Sequence, residues 1–137
     1  MSASTTYDML ITPPHSIDAE QSVLGGLILD NAAWSKVENI GIKETDFYRE
    51  DHRLIFRAIA HLAHNDTPRD ILTISDYLKS IVKLAEAGGL SYLATMAKDT
   101  PSAANIAAYA KIVKAKALLR RGSEIGLQAQ SLAADPD

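Results

Sequence analysis

Apolar residues recur at helical spacing along most of the chain, and this pattern predicts a series of short helices. The first begins after Ser16, a good N-cap that precedes acidic residues in the first turn, and its apolar stripe reaches Ile28. Similar patterns surround Trp34 and residues 54–62, and they recur in the segments ISDYLKSI and LSYLATMAK. Neither a hairpin signal nor a convincing alternating run is present, so the predicted fold class is all-α.

Turn and capping signals separate these helices. Gly41 is the predicted end of the second helix, because glycine tolerates the left-handed conformation that often terminates helices. Thr73 followed by Asp76 fits a variant of the capping box at the start of ISDYLKSI. Gly88 and Gly89 lie between two helical patterns and predict a turn.

The last helical pattern is the longest and contains no proline from about Ser102 to Leu132. Its apolar stripe continues after a one-residue slip and consists of Ile106, Ala110, Val113 and Ala117, then Leu118, Gly122, Ile125, Ala129 and Leu132. A helix of ~28 residues is about 42 Å long, which is more than a domain of this size can cover. We therefore expect part of the helix to project and to contact a partner.

Three segments follow from these patterns. Residues 1–14 lack periodicity and end in TPP, so they are predicted to form a flexible N-terminal arm. Residues 15–101 are predicted to form a compact bundle of short helices, and residues 102–137 the long C-terminal helix. The total of 137 residues is the length of one ordinary domain.

Two adjacent glycines, Gly25 and Gly26, interrupt the strongest apolar pattern of the chain. Each lowers helix stability by about 1 kcal/mol relative to alanine. We interpret them as packing glycines, since a missing side chain lets another backbone approach the helix closely. The predicted contact surface consists of this pair together with Leu24 and Ile28.

The composition excludes several classes of function. Hydrophobic residues make up 47% and charged residues 23% of the chain, as in soluble globular proteins. The absence of cysteine excludes a disulfide framework, thiolate catalysis and a cysteine-ligated zinc site. The N-terminus lacks the features of a secretory signal, and no apolar run approaches the roughly 20 residues needed to cross a bilayer. We expect a cytoplasmic protein.

Charge is distributed unevenly along the chain. Residues 1–51 contain nine acidic and three basic side chains, whereas residues 111–121 contain no acidic one. The five basic residues of that stretch are Lys111, Lys114, Lys116, Arg120 and Arg121. They fit either a solvated helix face or a docking face for an acidic partner, such as a second copy of the domain. The candidate interface combines charge with the apolar stripe and consists of Lys111, Lys114 and Arg121 with Leu118, Ile125, Ala129 and Leu132.

No catalytic, cofactor-binding or metal-binding residue is predicted. Neither glycine pair is followed by the lysine and hydroxyl residue of a P-loop, which argues against nucleotide binding. His52, His61 and His64 lie on or near one helix, but a metal site needs further convergent ligands, so we interpret them as the solvent-facing side of that helix. Only 6% of residues are aromatic and none is interleaved with the basic run, so little or no direct nucleic-acid binding is expected.

Three phrases resemble one protein family. PPHSIDAEQSVLGGLILDN resembles the opening of the N-terminal domain of bacterial replicative DNA helicases, the DnaB family, and DFYREDHRLIF follows at a similar distance. GGLSYLATMAKDTPSAANIAAYAKIV resembles the later part of that domain, and the three phrases cover most of residues 13–121 in family order. Asp99 replaces the more usual asparagine, Arg69 replaces a commonly apolar residue, and KSIVKLAEAGG departs from the usual loop, so residues 65–88 are expected to differ locally.

The resemblance implies a helical domain in the N-terminal collar of a hexameric ring helicase. The long helix would be the first arm of a hairpin that pairs neighbouring subunits, and a surface of the domain would receive primase and the helicase loader. The family's motor is a separate RecA-like ATPase domain, so this chain is expected to be a non-catalytic assembly and docking domain of an ATP-dependent DNA helicase. The alternative is a free-standing adaptor of the same fold that regulates the helicase in trans. A hydrolase that uses the histidines is a more distant possibility.

Overall fold

The computed structural model describes the backbone of residues 12–134 and the side chains of residues 12–130. Within that part of the chain, six α-helices are joined by short turns and no strand is present, which confirms the predicted all-α class. The helices are α1 (Ile17–Leu29), α2 (Trp34–Ile40), α3 (Glu50–His64), α4 (Ile71–Ser80), α5 (Gly89–Asp99) and α6 (Ile106–Ala134). Short 3₁₀ turns at Asn31–Ala33 and Glu44–Asp46 precede α2 and α3.

Helix α1 lies at the centre of the bundle and packs mainly against α5 and α6. Its residues 23–28 are all buried, because neighbours cover nearly every side of its second half. A helix in that position is apolar around most of its circumference, rather than along a single stripe. Ser16 caps the helix as predicted, since its hydroxyl accepts a hydrogen bond from the backbone N–H of Ala19 at 3.2 Å.

Helices α2 and α3 complete the core beside α1. Gly41 ends α2 in the left-handed conformation with φ of 83°, as expected for a glycine C-cap. Helix α3 is amphipathic, and its buried face includes Leu54, Ile55 and Ile59, all nearly or fully inaccessible to solvent. Phe47 is fully buried just before α3, so the turn that precedes the helix is anchored in the same core.

The start of α4 differs from the predicted one. The capping box is formed by Asp70 and Thr73, whose side chains accept hydrogen bonds from each other's backbone N–H groups at 2.8 and 2.9 Å. The prediction that Thr73 caps the helix with Asp76 was therefore wrong by one turn. An aspartate in the N-cap position satisfies a free N–H group and also interacts favourably with the helix dipole.

Helix α6 has a buried first half and an exposed second half. It begins at Ile106 rather than near Ser102, whose side chain instead accepts a hydrogen bond from the backbone N–H of Ala104 in the preceding turn. The first part of the predicted stripe is buried and consists of Ile106, Ala110, Val113 and Ala117. Between Leu118 and Ala129 the apolar side chains are exposed. No helix within residues 12–134 is long and apolar enough to span a membrane.

Two parts of the sequence predictions concern residues beyond this description. Residues 1–11 of the predicted arm and residues 135–137 lie outside the described residues. Leu132 belongs to the backbone of α6, but its side chain is outside the described set.

Candidate functional site

The glycine pair of α1 lies where two other helices come closest. A Cβ atom added to Gly25 would be 2.0 Å from Thr100 Oγ1 and 2.8 Å from the carbonyl oxygen of Met96, at the end of α5. A Cβ atom on Gly26 would be 3.0 Å from Cδ1 of Ile106, at the start of α6. Leu24 and Ile28, the other two residues of the predicted contact surface, are buried in the same core. The effect of a larger side chain on stability stays a prediction.

The distal half of α6 carries an apolar surface that faces solvent, here called the distal stripe. It is formed by Leu118, Ile125 and Ala129 with Leu119 and Leu127 beside them. The exposed fractions of Leu118 and Ile125 are 55% and 65%. Monomeric proteins rarely expose contiguous apolar surface without using it for an interaction.

Two further glycines, Gly122 and Gly126, lie within the distal stripe. A Cβ atom on either would have no neighbouring atom within 4 Å. Each therefore weakens the helix without any close contact inside the chain to explain it. Glycines four residues apart lie on one helix face, where they allow a second helix to approach closely.

The basic run of α6 is used mainly within the chain. Lys114 Nζ lies 3.1 Å from Asp46 Oδ2, and the guanidinium group of Arg121 pairs with the other carboxylate oxygen of Asp46. Arg120 donates to the backbone carbonyl oxygens of Pro14 and Asp46 at 2.9 and 2.6 Å. Burial lowers the pKa of Arg120 below its usual value.

Three of the five members of this run, Lys114, Arg120 and Arg121, therefore have partners within the chain. Asp46 is fully buried and needs compensating charge, and Lys114 and Arg121, two turns apart on α6, both lie beside it. Lys114 and Arg121 thus pair with Asp46, and their place in the candidate interface stays a prediction. Lys111 is exposed, as its place in the candidate interface requires.

The three histidines of α3 do not share one environment. His61 and His64 are exposed, as expected for the solvent-facing side of the helix. His52 is fully buried, which the sequence interpretation missed, because Glu20 and Tyr92 approach its ring from two other helices. No group of three or more histidine, cysteine or acidic side chains within residues 12–130 could hold a metal ion.

A buried polar network surrounds His52 and Glu20. The Glu20 carboxylate accepts hydrogen bonds from the backbone N–H of Tyr48 at 2.7 Å and from Nδ1 of His52 at 2.7 Å. Nε2 of His52 lies 2.7 Å from the Tyr92 hydroxyl, and the side-chain amide of Gln21 donates to that hydroxyl at 3.1 Å. In the sequence, Glu20 carries only the signature of a first-turn acid that favours the helix dipole, and nothing local distinguishes its burial.

The end of this network that contains Tyr92 borders a polar cavity of 260 Å³. Tyr92 and Gln21 line the cavity beside two acidic residues, Asp18 and Asp99. A second depression of 300 Å³ is lined by Trp34 and Phe56 among others. Two of the charged residues that line it, Arg57 and Glu44, pair with each other at 2.8 Å.

Comparison with known proteins places this arrangement in one family. The model of the family described as DnaB-like helicase N terminal domain matches residues 12–115. The replicative DNA helicase DnaB of Haemophilus influenzae is 46% identical over 114 residues, which cover 83% of this chain and 24% of that protein. The replicative DNA helicase DnaB of Geobacillus stearothermophilus is 46% identical over 109 residues, which cover 80% of this chain and 24% of that protein.

A solved structure has the same fold. The crystal structure of the N-terminal domain of DnaB helicase from Mycobacterium tuberculosis aligns with a TM-score of 0.88 and 37% identity, and the alignment covers 92% of this chain and 87% of that one. The chain spans about a quarter of the length of the curated relatives it matches. On the family match, the sequence identity and the shared fold together, the chain belongs to the DnaB-like helicase N-terminal domain family.

Proposed function

We propose that this chain serves as the non-catalytic assembly and docking domain of a replicative DNA helicase. Its family and the names of its relatives support the link to replication. The observation that carries the assembly role is the distal stripe, an apolar surface that this domain leaves in solvent at the end of a 29-residue helix. In this role the domain pairs subunits in the collar of a hexameric ring, and primase and the helicase loader dock on the assembled collar.

The chemistry of the distal stripe favours another helix as the occupant. Leu118 and Ile125 are seven residues apart and therefore lie on the same side of α6, with Gly122 between them. Large apolar side chains around a glycine form a depression into which the side chains of a facing helix can pack. Removing this surface from water is the main favourable term for such a contact.

Sedimentation of the Ile125→Asp variant tests the proposal. The wild-type chain is expected to dimerise with increasing concentration, and the variant to stay monomeric, because the dimer would bury an unpaired carboxylate. The aspartate faces solvent in the monomer, so the circular dichroism spectrum and unfolding midpoint should remain close to those of the wild type.

Leu72→Asp is the matched control. Leu72 is 74% exposed on α4, outside the distal stripe, so the same substitution there is expected to leave dimerisation intact. A wild-type chain that remains monomeric at high concentration contradicts the assembly role of the distal stripe. A dimer that survives in the Ile125→Asp variant shows that the contact lies elsewhere on the domain, and equal loss of dimer in both variants shows that the effect of the substitution is not specific to the distal stripe.

A further inference from the structure

The Glu20–His52–Tyr92 network joins three helices through one buried imidazole ring. Glu20 belongs to α1, His52 to α3 and Tyr92 to α5, and His52 has no exposed surface. Both ring nitrogens lie 2.7 Å from an oxygen atom, so each takes part in a hydrogen bond. The protonation state of the ring therefore determines the direction of these bonds.

The bond at Nδ1 involves the Glu20 carboxyl group. The Glu20 carboxyl group already accepts from the backbone N–H groups of Tyr48 and Arg49, and in the proposed arrangement Nδ1 of His52 carries a hydrogen and donates it to the same group. The side-chain amide of Gln21 donates to the Tyr92 oxygen from the other side. The remaining bond, between Nε2 of His52 and the Tyr92 hydroxyl, can run in either direction.

The two directions correspond to two charge states of His52. When the ring is neutral, Nε2 has a free lone pair and the Tyr92 O–H donates to it. When the ring is protonated, Nε2 donates to the Tyr92 oxygen, which then accepts two hydrogen bonds. The hydrogen of the Tyr92 hydroxyl must in that case turn away from His52, and it is released toward the polar cavity that Tyr92 lines.

Two carboxylates lie next to this ring, and two arginines lie against the tyrosines around it. Besides Glu20, the Asp51 carboxylate of α3 lies 3.9 Å from Nε2. Arg49, just before α3, lies 5.5 Å from the centre of the Tyr92 ring, and its hydrogen bond to Asp51 raises its pKa. On α6, Arg120 stacks over the ring of Tyr48, whose backbone N–H donates to Glu20. The ring thus lies next to two carboxylates, one of which also pairs with Arg49.

We propose that protonation of His52 reverses its hydrogen bond to Tyr92. The Glu20–His52–Tyr92 network then acts as a pH-sensitive switch that changes the direction in which the Tyr92 hydroxyl donates. At higher pH the hydroxyl hydrogen is directed inward to His52. At lower pH it becomes a hydrogen-bond donor in a cavity whose other charged groups, Asp18 and Asp99, are acceptors. The heavy atoms need not move, because both states use the same interatomic distances.

Nitrogen-detected NMR of the histidine rings tests the first half of the switch. Long-range ¹H–¹⁵N spectra of the labelled chain are recorded between roughly pH 8 and pH 5, the range in which histidine ordinarily changes charge. The His52 ring is expected to carry its hydrogen on Nδ1 at the upper end and hydrogens on both nitrogens at the lower end. The His52→Gln variant assigns the signals, and His61→Gln removes an exposed histidine of the same helix as a control.

Raman spectroscopy of the tyrosine doublet tests the output, since its intensity ratio distinguishes a donating from an accepting hydroxyl. The difference between wild type and Tyr92→Phe isolates Tyr92 and is expected to shift toward acceptor character as the pH falls, because the hydroxyl then accepts two hydrogen bonds instead of one. His61→Gln should retain this change and His52→Gln should abolish it. If His52→Gln does not fold, the wild-type and Tyr92→Phe pair still decides the result.

Three results would overturn the switch. One is a His52 ring that keeps the same protonation state at both ends of the pH range. Another is a neutral ring with its hydrogen on Nε2. The third is a Tyr92 Raman contribution that does not change with pH while His52 titrates.

Discussion

Gly25 and Gly122 are both helical glycines, but their surroundings are opposite. A methyl group at Gly25 would meet the backbone oxygen of Met96 at 2.8 Å as well as the Thr100 side chain, and a backbone atom cannot turn aside as the end of a side chain can. A methyl group at Gly122 would have no neighbour within 4 Å. The same substitution should therefore change stability in opposite directions at the two positions.

We expect Gly25→Ala to lower the free energy of unfolding by roughly 1–3 kcal/mol, because overpacking outweighs the better helix propensity of alanine. Gly122→Ala should raise it by up to about 1 kcal/mol in the monomer. Urea unfolding followed by circular dichroism measures both. A Gly25→Ala protein that is more stable than wild type would show that α1 and α5 separate easily at this crossing.

Val82 has a backbone conformation that is unusual for a β-branched residue. Its φ angle is +58°, in the left-handed region, and its side chain is 84% exposed. The conformation closes the end of α4, since the N–H of Lys83 donates to the carbonyl oxygen of Leu78 at 2.8 Å. The side chain therefore gains little from burial while the backbone remains strained.

Replacing this valine with glycine should stabilise the domain. The left-handed conformation is unfavourable by roughly 1–2 kcal/mol for a residue with a Cβ atom, and the greater freedom of glycine in the unfolded chain offsets about 0.4–1 kcal/mol of that gain. We expect Val82→Gly to raise the unfolding midpoint slightly in a thermal melt. A lower midpoint would indicate that the exposed valine makes a stabilising contact in solution.

At the scale of elements, Asp46 forms ion pairs that connect α6 to the turn before α3. Its buried carboxylate accepts from Lys114 and Arg121 of α6 and, at 2.8 Å, from the backbone N–H of Lys43. The two basic residues are 68 and 75 positions away from Asp46 in the sequence. The pairing therefore depends on the docking of the long helix and in turn stabilises that docking.

We expect Asp46→Asn to destabilise the domain by about 1–3 kcal/mol, since it removes a buried charge and leaves its donors poorly satisfied. Glu44→Gln in the same turn is the matched control, because Glu44 pairs with Arg57 near the surface and such pairs contribute about 0–1 kcal/mol. Urea unfolding is the suitable measurement, as it does not screen charge. Equal effects of the two substitutions would contradict a special role for Asp46.

At the scale of the whole molecule, the proposed docking role concerns primase. We expect calorimetry to detect binding of this domain to the C-terminal helical region of the cognate primase. Ile125→Asp should weaken binding more than Leu72→Asp, because a collar that pairs through the distal stripe presents the docking surface in its assembled form. Absence of binding to this chain, and also to a longer chain that continues past Asp137, would contradict the docking role.

The positions of the helices can be predicted from residues that are close together in the sequence. Apolar residues three and four positions apart, together with Ser16 before α1 and Gly41 after α2, predict where helices begin and end, because a helix forms hydrogen bonds only between near neighbours in the chain. For the same reason the long pattern after Ser102 predicted one long helix, and the exposure of its distal half agrees with an expectation based on length alone. The three long phrases, rather than any periodicity, indicated the family.

Only the tertiary structure decided which charged and polar side chains are buried and which partners they have. An apolar residue at helical spacing is buried wherever the helix packs, but whether His52 is exposed depends on Glu20 and Tyr92, which are 32 and 40 residues away. Likewise, Lys114 and Arg121 form an intramolecular ion cluster rather than a free basic face because the fold places a buried carboxylate, Asp46, opposite them. A polar group can be buried only where its partners converge on it, and this convergence is a property of the packed helices that no local pattern in the sequence records.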